Sequence, residues 1–219
     1  MRLIDLTLPI DESLPARYSF QTEEKRIANQ AGAYTAIIHH CHYRSTTATY
    51  IDFPSHVKET NDGSDAANYP PEKVFRVPAA VIHLDRPSGS GKIGADELEA
   101  ACSNQDRADA LIINALGQNR FDQIAPQSVY LGKDAVRWII QNNFHLLISD
   151  AYESKTDPQL VFPDLFQGGV SAVCNPVNLY LLTEPDFLVT VLFPRFVKAT
   201  QVPCRVLAET TGGENYAKV

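Results

Sequence analysis

The stretch Arg44-Ser45-Thr46-Thr47-Ala48-Thr49-Tyr50-Ile51-Asp52-Phe53-Pro54-Ser55-His56 crowds hydroxyl, carboxyl and imidazole side chains into a short run. Side chains of an extended strand point alternately to its two faces. Alternation puts one set on the first face, namely Thr46, Ala48, Tyr50 and Asp52, and a second set on the other, namely Thr47, Thr49, Ile51 and Phe53. The stretch therefore predicts a strand with one chemical face and one packing face.

The end of this stretch predicts a site for proton transfer. Pro54 ends the strand, and His56 can then turn back toward Asp52, so that a carboxylate, an imidazole and the Tyr50 phenol converge. A carboxylate orients an imidazole and raises its pKa, and histidine is well matched to acid or base work near neutral pH. The alternative is that Asp52 and His56 only tie down a turn.

The rest of the chain predicts one α/β or α+β domain in which strands outnumber helices. Apolar or alternating runs indicate strands, at Leu3–Ile10, Tyr34–Tyr43, Ala79–Leu84, Leu111–Ala115, Leu146–Ile148, Val170–Val173, Phe187–Phe193 and Val206–Ala208. Helical patterns occupy Ala95–Cys102 and Gly132–Asn142. Turn-forming residues dominate Glu59–Pro71, Arg86–Gly94 and Ser154–Pro163, and the first and third of these segments are either active-site loops or surface excursions.

Composition excludes several classes of protein. The 219 residues carry 26 acidic and 19 basic side chains, for a formal charge of −7, and no basic cluster of the kind that nucleic acids require. The four cysteines form no Cys-x-x-Cys pair, which favours reduced thiols. Asp5 interrupts any signal-like apolar start, and no run approaches the roughly 18 to 20 apolar residues of a membrane span. We expect a cytoplasmic protein that binds neither nucleic acid nor membrane.

The central stretch resembles the motif His-x-Gly-Thr-His-x-Asp-x-Pro-x-His of the kynurenine formamidase-like cyclase family, which includes isatin hydrolases. Asp52, Pro54, His56 and Thr49 match it without a gap. Three further segments resemble family strands, namely Leu3–Thr7, Ala79–Asp85 and Pro203–Ala208. The resemblance implies a swivelling β/β/α fold over residues 1–209, with mixed β-sheets or a barrel-like β core flanked by a few helices, and a tail at 210–219.

The positions of the family's metal ligands hold other residues in this chain. The two motif histidines fall on Thr46 and Tyr50, the later Glu falls on Cys174, and the later His falls near Phe162. Of the five ligands that the resemblance implies, only Asp52 is present. Because a catalytic zinc site needs at least three protein ligands, we expect no metal and no other cofactor.

The resemblance together with the lost ligands predicts a metal-independent enzyme. We expect His56, Asp52 and Tyr50 to be catalytic and Thr46, Cys174 and Phe162 to bind a small organic substrate. Cyclisation, dehydration, isomerisation or a pericyclic rearrangement fits this set, as in natural-product biosynthesis. The alternatives are a metal-dependent amide, lactam or lactone hydrolase of the arylformamidase type and a non-catalytic relative that binds a small molecule. The resemblance also implies a homo-oligomer, either a dimer or a tetramer.

Two other groups of residues compete for a chemical role. His40 and His42 share a face of their predicted strand and His39 lies on the other, which suits an exposed strand or a subunit interface better than a metal site. Cys174 can be considered as a nucleophile with His56 as its base, but a cysteine that ends an apolar strand is more often a small buried side chain.

Overall fold

The computed structural model describes residues 2–11, 18–84, 86, 91–102, 108–184 and 186–210. Within these residues the chain forms thirteen strands and three α-helices. The strands are β1 Leu3–Asp5, β2 Tyr18–Asn29, β3 Gly32–Tyr43, β4 Tyr50–Asp52, β5 Val77–His83, β6 Gly91–Ile93, β7 Ala110–Asn114, β8 Val129–Leu131, β9 Leu146–Ser149, β10 Ser171–Cys174, β11 Asp186–Leu192, β12 Gln201–Pro203 and β13 Arg205–Thr210. The helices are α1 Ala95–Ala101, α2 Lys133–Gln141 and α3 Val161–Gln167.

Nine strands form one mixed sheet in the order β1-β13-β11-β5-β7-β9-β10-β4-β12. Its centre, β5-β7-β9-β10, is parallel, and the strands that flank this centre pair antiparallel. Strands β2 and β3 form a separate hairpin, and β6 pairs with β8. The expectation of a mixed α/β fold with strands in the majority is confirmed.

Each face of the central sheet packs against its own apolar core. The three helices cover the first face, where Leu98, Ile139 and Leu165 join the core that contains Ile113. The second face packs against the segments 69–74 and 179–182, in a core that contains Ile112. All five residues of β7 are buried, as expected for a parallel strand that is covered on both sides.

Helices α1 and α2 lie where the sequence pattern predicted them. Gly94 and Gly132 immediately precede α1 and α2, and acidic side chains lie in the first turn of each, where they favour the helix dipole. In α2 the buried residues are Ala135, Val136, Trp138 and Ile139. Burial of this face attaches the helix to the sheet.

Several elements were not predicted. Helix α3 begins at Val161, inside the segment predicted to be a turn, because Pro163 lies in the first turn of the helix, where proline is tolerated. Strand β2 is exposed and most of its residues are polar, so no apolar alternation marks it in the sequence. β6, β8 and β12 have only three residues each, which is too short for a periodic signal.

The two ends of the chain also differ from expectation. β1 ends at Asp5, whose carboxylate accepts a hydrogen bond from the Thr7 backbone N–H, so the strand does not run to Ile10. Thr210 belongs to β13, and the rest of the predicted tail lies outside the described residues. None of the helices in the described ranges is long and apolar enough to cross a membrane.

Candidate functional site

Strand β4 lies between β10 and β12 and positions the candidate site. Its residues alternate as predicted, since Ile51 and Phe53 are fully buried in the second core while Tyr50 packs against the first. Residues 45–49, however, form turns and bends rather than a strand. Ala48 has a left-handed backbone with φ of 56°, which suits glycine, the residue that the family motif carries at this position. The predicted extended stretch is therefore correct only at its end.

Asp52 is the buried acid of the site, with 3% of its surface exposed. The Gln201 side-chain amide donates a hydrogen bond to Asp52 Oδ1, and the Cys174 thiol lies 3.9 Å from Asp52 Oδ2. Burial raises the pKa of Asp52 to about 7, because the hydrogen bonds from Gln201 and Cys174 offset only part of the cost of desolvating a carboxylate. Asp52 can therefore both give and take a proton near neutral pH.

His56 follows Asp52 through a 3-10 turn, as predicted, and its side chain is exposed. Its contact with Asp52 runs through Gln201, whose amide nitrogen lies 3.2 Å from His56 Nε2. Because that amide donates, Nε2 accepts, and the ring proton is on Nδ1, which lies 3.4 Å from the Thr200 hydroxyl. Desolvation of the part of the ring that is covered lowers the pKa of His56. The prediction that Asp52 orients His56 directly and raises its pKa is wrong on both points.

Tyr50 and Cys174 face each other across the β4–β10 pair, and their side chains are hydrogen-bonded. Burial, together with the nearby Asp52 carboxylate, raises the pKa of Cys174 well above its ordinary value. The side chain is therefore a thiol at neutral pH, which argues against the alternative that Cys174 is a nucleophile.

Phe162 and Thr46 are each next to a residue that contacts a strand or a side chain of the site. The Phe162 ring stacks on Tyr152 with 5.1 Å between ring centroids, and the Tyr152 hydroxyl lies 2.8 Å from the carbonyl oxygen of Val173 in β10. Thr46 is half-buried in the turn beside Ser45. The roles of Thr46, Phe162 and Cys174 in binding a substrate stay predictions.

Gln201 was missed by the sequence analysis. Its amide nitrogen donates hydrogen bonds to Asp52 and His56, and its carbonyl oxygen accepts a hydrogen bond of 2.6 Å from the Ser45 hydroxyl. It stands directly opposite Asp52 in the β4–β12 pairing, which no local pattern reveals. Glu153, whose pKa is raised by burial, is a second acid near Cys174 that was not singled out.

Comparisons with known proteins identify the family of this chain. Residues 4–155 match the sequence model of the family described as Cyclase. This match covers more than half of the chain and includes the whole Arg44–His56 stretch. The chain belongs to the cyclase family. The predicted resemblance is confirmed, whereas no curated protein matches the chain.

Solved structures of cyclase-family proteins share the fold over nearly the whole chain. A structure described as a novel cyclase has a TM-score of 0.73 at 16% identity, over 95% of this chain and 88% of that one. Isatin hydrolase A from Labrenzia aggregata gives 0.70 at 19% identity over 94% and 93%. A predicted metal-dependent hydrolase from Bacillus stearothermophilus gives 0.65 at 20% identity over 94% and 97%.

The donor atoms around Asp52 do not fit a divalent metal. Threonine, tyrosine, cysteine and phenylalanine stand at or near the other ligand positions, and one oxygen of Asp52 is held by an amide N–H, which is a donor. Across the described part of the chain, no three His, Cys, Asp or Glu side chains are grouped so that they could hold one ion. The family's ligand set is therefore not reproduced at this site.

The histidines of β3 have partners other than a metal ion. His40 pairs with Glu23 at 3.0 Å, and His39 stacks on Phe20 with 4.7 Å between ring centroids, both on the exposed β2–β3 hairpin. This arrangement favours the interpretation of an exposed strand or an interface.

Proposed function

We propose that this cyclase-family chain is a metal-independent enzyme that catalyses cyclisation, dehydration, isomerisation or a pericyclic rearrangement of a small organic substrate. The proposal depends above all on Asp52, a buried carboxyl with a pKa of about 7 at a position where the family motif implies a metal ligand. Such a group exchanges protons at cellular pH without help from a cation.

Asp52 serves as the general acid or base in this proposal, which exchanges the roles first expected for it and for His56. Gln201 holds one oxygen of the carboxyl, so the proton resides on or leaves from the other oxygen, which faces Cys174. A fixed acceptor in a dry site loses little energy to solvent reorganisation during the reaction.

His56 and Tyr50 complete the site at its surface. His56 is exposed and neutral, and its Nε2 faces the Gln201 amide. It can therefore accept a hydrogen bond from a substrate only when the Gln201 side chain moves away. The half-buried Tyr50 phenol is suited to donate to an oxygen that gains charge during the reaction. Thr46 and the Phe162 ring provide polar and apolar contacts for the substrate.

The proposal predicts that the protein neither holds a metal nor acts as an isatin hydrolase. After exposure to excess Zn²⁺ or Mn²⁺ and desalting, mass spectrometry of metal content should find well below one equivalent per chain. With Mn²⁺ added, the loss of isatin absorbance should match the rate without protein. A stoichiometric metal, or isatin hydrolysis that Asp52→Asn abolishes, supports the hydrolase alternative instead.

We also propose that a second copy of the chain covers the β2–β3 hairpin. One face of this hairpin carries Tyr18, Phe20, Ile37, His39 and Tyr43, because Phe20 pairs with Cys41 and side chains alternate along both strands. Phe20 and Ile37 are 47% and 61% exposed. A two-stranded hairpin is marginally stable alone in water, so this apolar face is expected to be buried in a homo-oligomer.

The double substitution Phe20→Ser and Ile37→Ser should therefore convert the oligomer to a monomer, as measured by light scattering after gel filtration. Tyr34→Ser is the matched control, because Tyr34 is 60% exposed on the opposite face of the same hairpin and should leave the mass unchanged. A wild-type monomer, or equal effects of both variants, contradicts this interface.

A further inference from the structure

The carboxyl ends of three neighbouring parallel strands carry a second polar cluster. His83 ends β5, Asn114 ends β7 and pairs with His83, and Asp150 directly follows β9. Asn114 continues the row of Ala110 and Ile112, which lie in the second core. Cys174 lies in the first core, so this cluster and the Asp52 site are on opposite faces of the sheet.

A cavity opens over this cluster. Two adjoining hollows of about 220 and 760 Å³ share Asn114, Gly117, Gln118, Asn119 and Tyr180 as lining residues. Asp150 lines the smaller hollow and His83 the larger one. The combined space is within the range that small-molecule sites occupy.

Asn114 provides an acceptor with no partner at the floor of the cavity. The His83 Nε2–H donates to the Leu182 carbonyl oxygen at 2.6 Å, and its Nδ1 accepts a hydrogen bond from the Asn114 side-chain N–H at 3.0 Å. This leaves Asn114 Oδ1, which is fully buried and has no hydrogen-bond partner among the described residues. A buried acceptor without a donor costs free energy, so a ligand or a water is expected to satisfy it.

Asp150 adds a second acceptor to the same floor. Its two oxygens accept hydrogen bonds from the backbone N–H groups of Ala115 and Leu116, at 2.9 and 3.1 Å. Desolvation raises the pKa of Asp150 to about 6, which still leaves the carboxyl mostly ionised at neutral pH. Arg120 lines the cavity, but its guanidinium is paired with Asp122. The floor thus combines a negative charge with a free carbonyl oxygen.

We propose that this cavity binds the primary ammonium group of a small organic amine. The free polar atoms of Asn114 and the Asp150 carboxylate are acceptors, and an alkylammonium carries three donors and no acceptor. The Tyr180 ring, which is 38% exposed, and the side chains of Val177 and Leu179 offer an apolar wall for the carbon chain of the ligand. This site is independent of the proposed function, because it shares no residue with the Asp52 site.

The test uses three simple probes on the full-length protein at constant ionic strength. Amide and side-chain NMR spectra are recorded during titration with propylammonium, tetramethylammonium and 1-propanol. Propylammonium should shift the Asn114 side-chain signal and the backbone signals of Ala115 and Leu116 in a saturable way. Tetramethylammonium has the charge but no N–H donor, propanol has a donor but no charge, and each should bind at least tenfold more weakly.

Variants locate the site. Asp150→Asn should weaken propylammonium binding at least tenfold, whereas Asp96→Asn, which removes an exposed acid in the first turn of α1, should change it less than twofold. If Asp150→Asn fails to fold, the comparison of the three probes on the wild-type protein still decides. Equal binding of propylammonium and tetramethylammonium, shifts confined to other residues, or a crystal structure soaked in propylammonium that shows only a water on Asn114 would overturn the proposal.

Discussion

The Asp52→Asn protein is expected to be more stable than the wild type by up to about 4 kcal/mol at pH 9, and nearly equal to it at pH 4. Raising the pKa of this carboxyl from 3.8 to about 7 corresponds to roughly that free energy once the group is ionised. Between pH 3.8 and about pH 7 the folded chain binds a proton that the unfolded chain has lost, so wild-type stability falls as the pH rises through this window and is constant above it. Asparagine cannot ionise and retains an oxygen for the Gln201 amide.

Urea unfolding of both proteins from pH 4 to pH 9 measures this effect. Asp96→Asn is the matched control, because Asp96 is an exposed acid in the first turn of α1 and its removal should give a difference that hardly varies with pH. If the Asp52→Asn difference is also constant across the range, Asp52 is not desolvated, and it loses its role as an acid or base near neutral pH.

A bound metal is expected when the family's ligands are returned to this site. The triple substitution Thr46→His, Tyr50→His and Cys174→Glu places three donors around Asp52, whose Oδ2 already lies 3.9 Å from the atom that the new glutamate replaces. Positions 50 and 174 are direct partners in the β4–β10 pair, so two of the new ligands face each other. With Asp52 this makes four donors, enough for a closed zinc site.

Calorimetric titration with Zn²⁺ should show about one equivalent bound to the triple variant, compared with none for the wild type. At a free metal concentration about 100 times the dissociation constant, the bound ion should stabilise the fold by about 2.7 kcal/mol. The same triple variant with Asp52→Asn is the control and should bind at least tenfold more weakly. A folded triple variant that binds no zinc would mean that the backbone at Ala48 or β4 no longer holds the four side chains in the geometry that a metal requires.

The sequence predicted the parts of the site that lie close together along the chain. Tyr50 and Asp52 come from one short strand, and His56 follows it in the proline turn, so a single local segment carries all three residues. Gln201 could not be predicted, since its effect arises from pairing between strands about 150 residues apart in the sequence. The sign of the pKa change at His56 was wrong for the same reason, because the carboxylate expected to raise it contacts an intervening amide.

The prediction of the fold was limited in the same way. The buried strands β7 and β9 and the amphipathic α2 carry strong local patterns, and these were correct. The hairpin strand β2 and the helix α3 were missed because most residues of the strand are polar and the helix includes a proline. Both are set by tertiary or quaternary surroundings more than by local propensity.

Because the sheet has a separate core on each face, the register of the short strand β10 determines which side chains face Asp52. In β10, Val173 and Cys174 point to opposite sides, and the strand is only four residues long. Sliding it by one position would send the thiol away from Asp52 and replace it with a valine isopropyl group. An insertion or deletion in the Gly168–Gly169 turn would therefore abolish the acid's environment while leaving every side chain in the protein chemically intact.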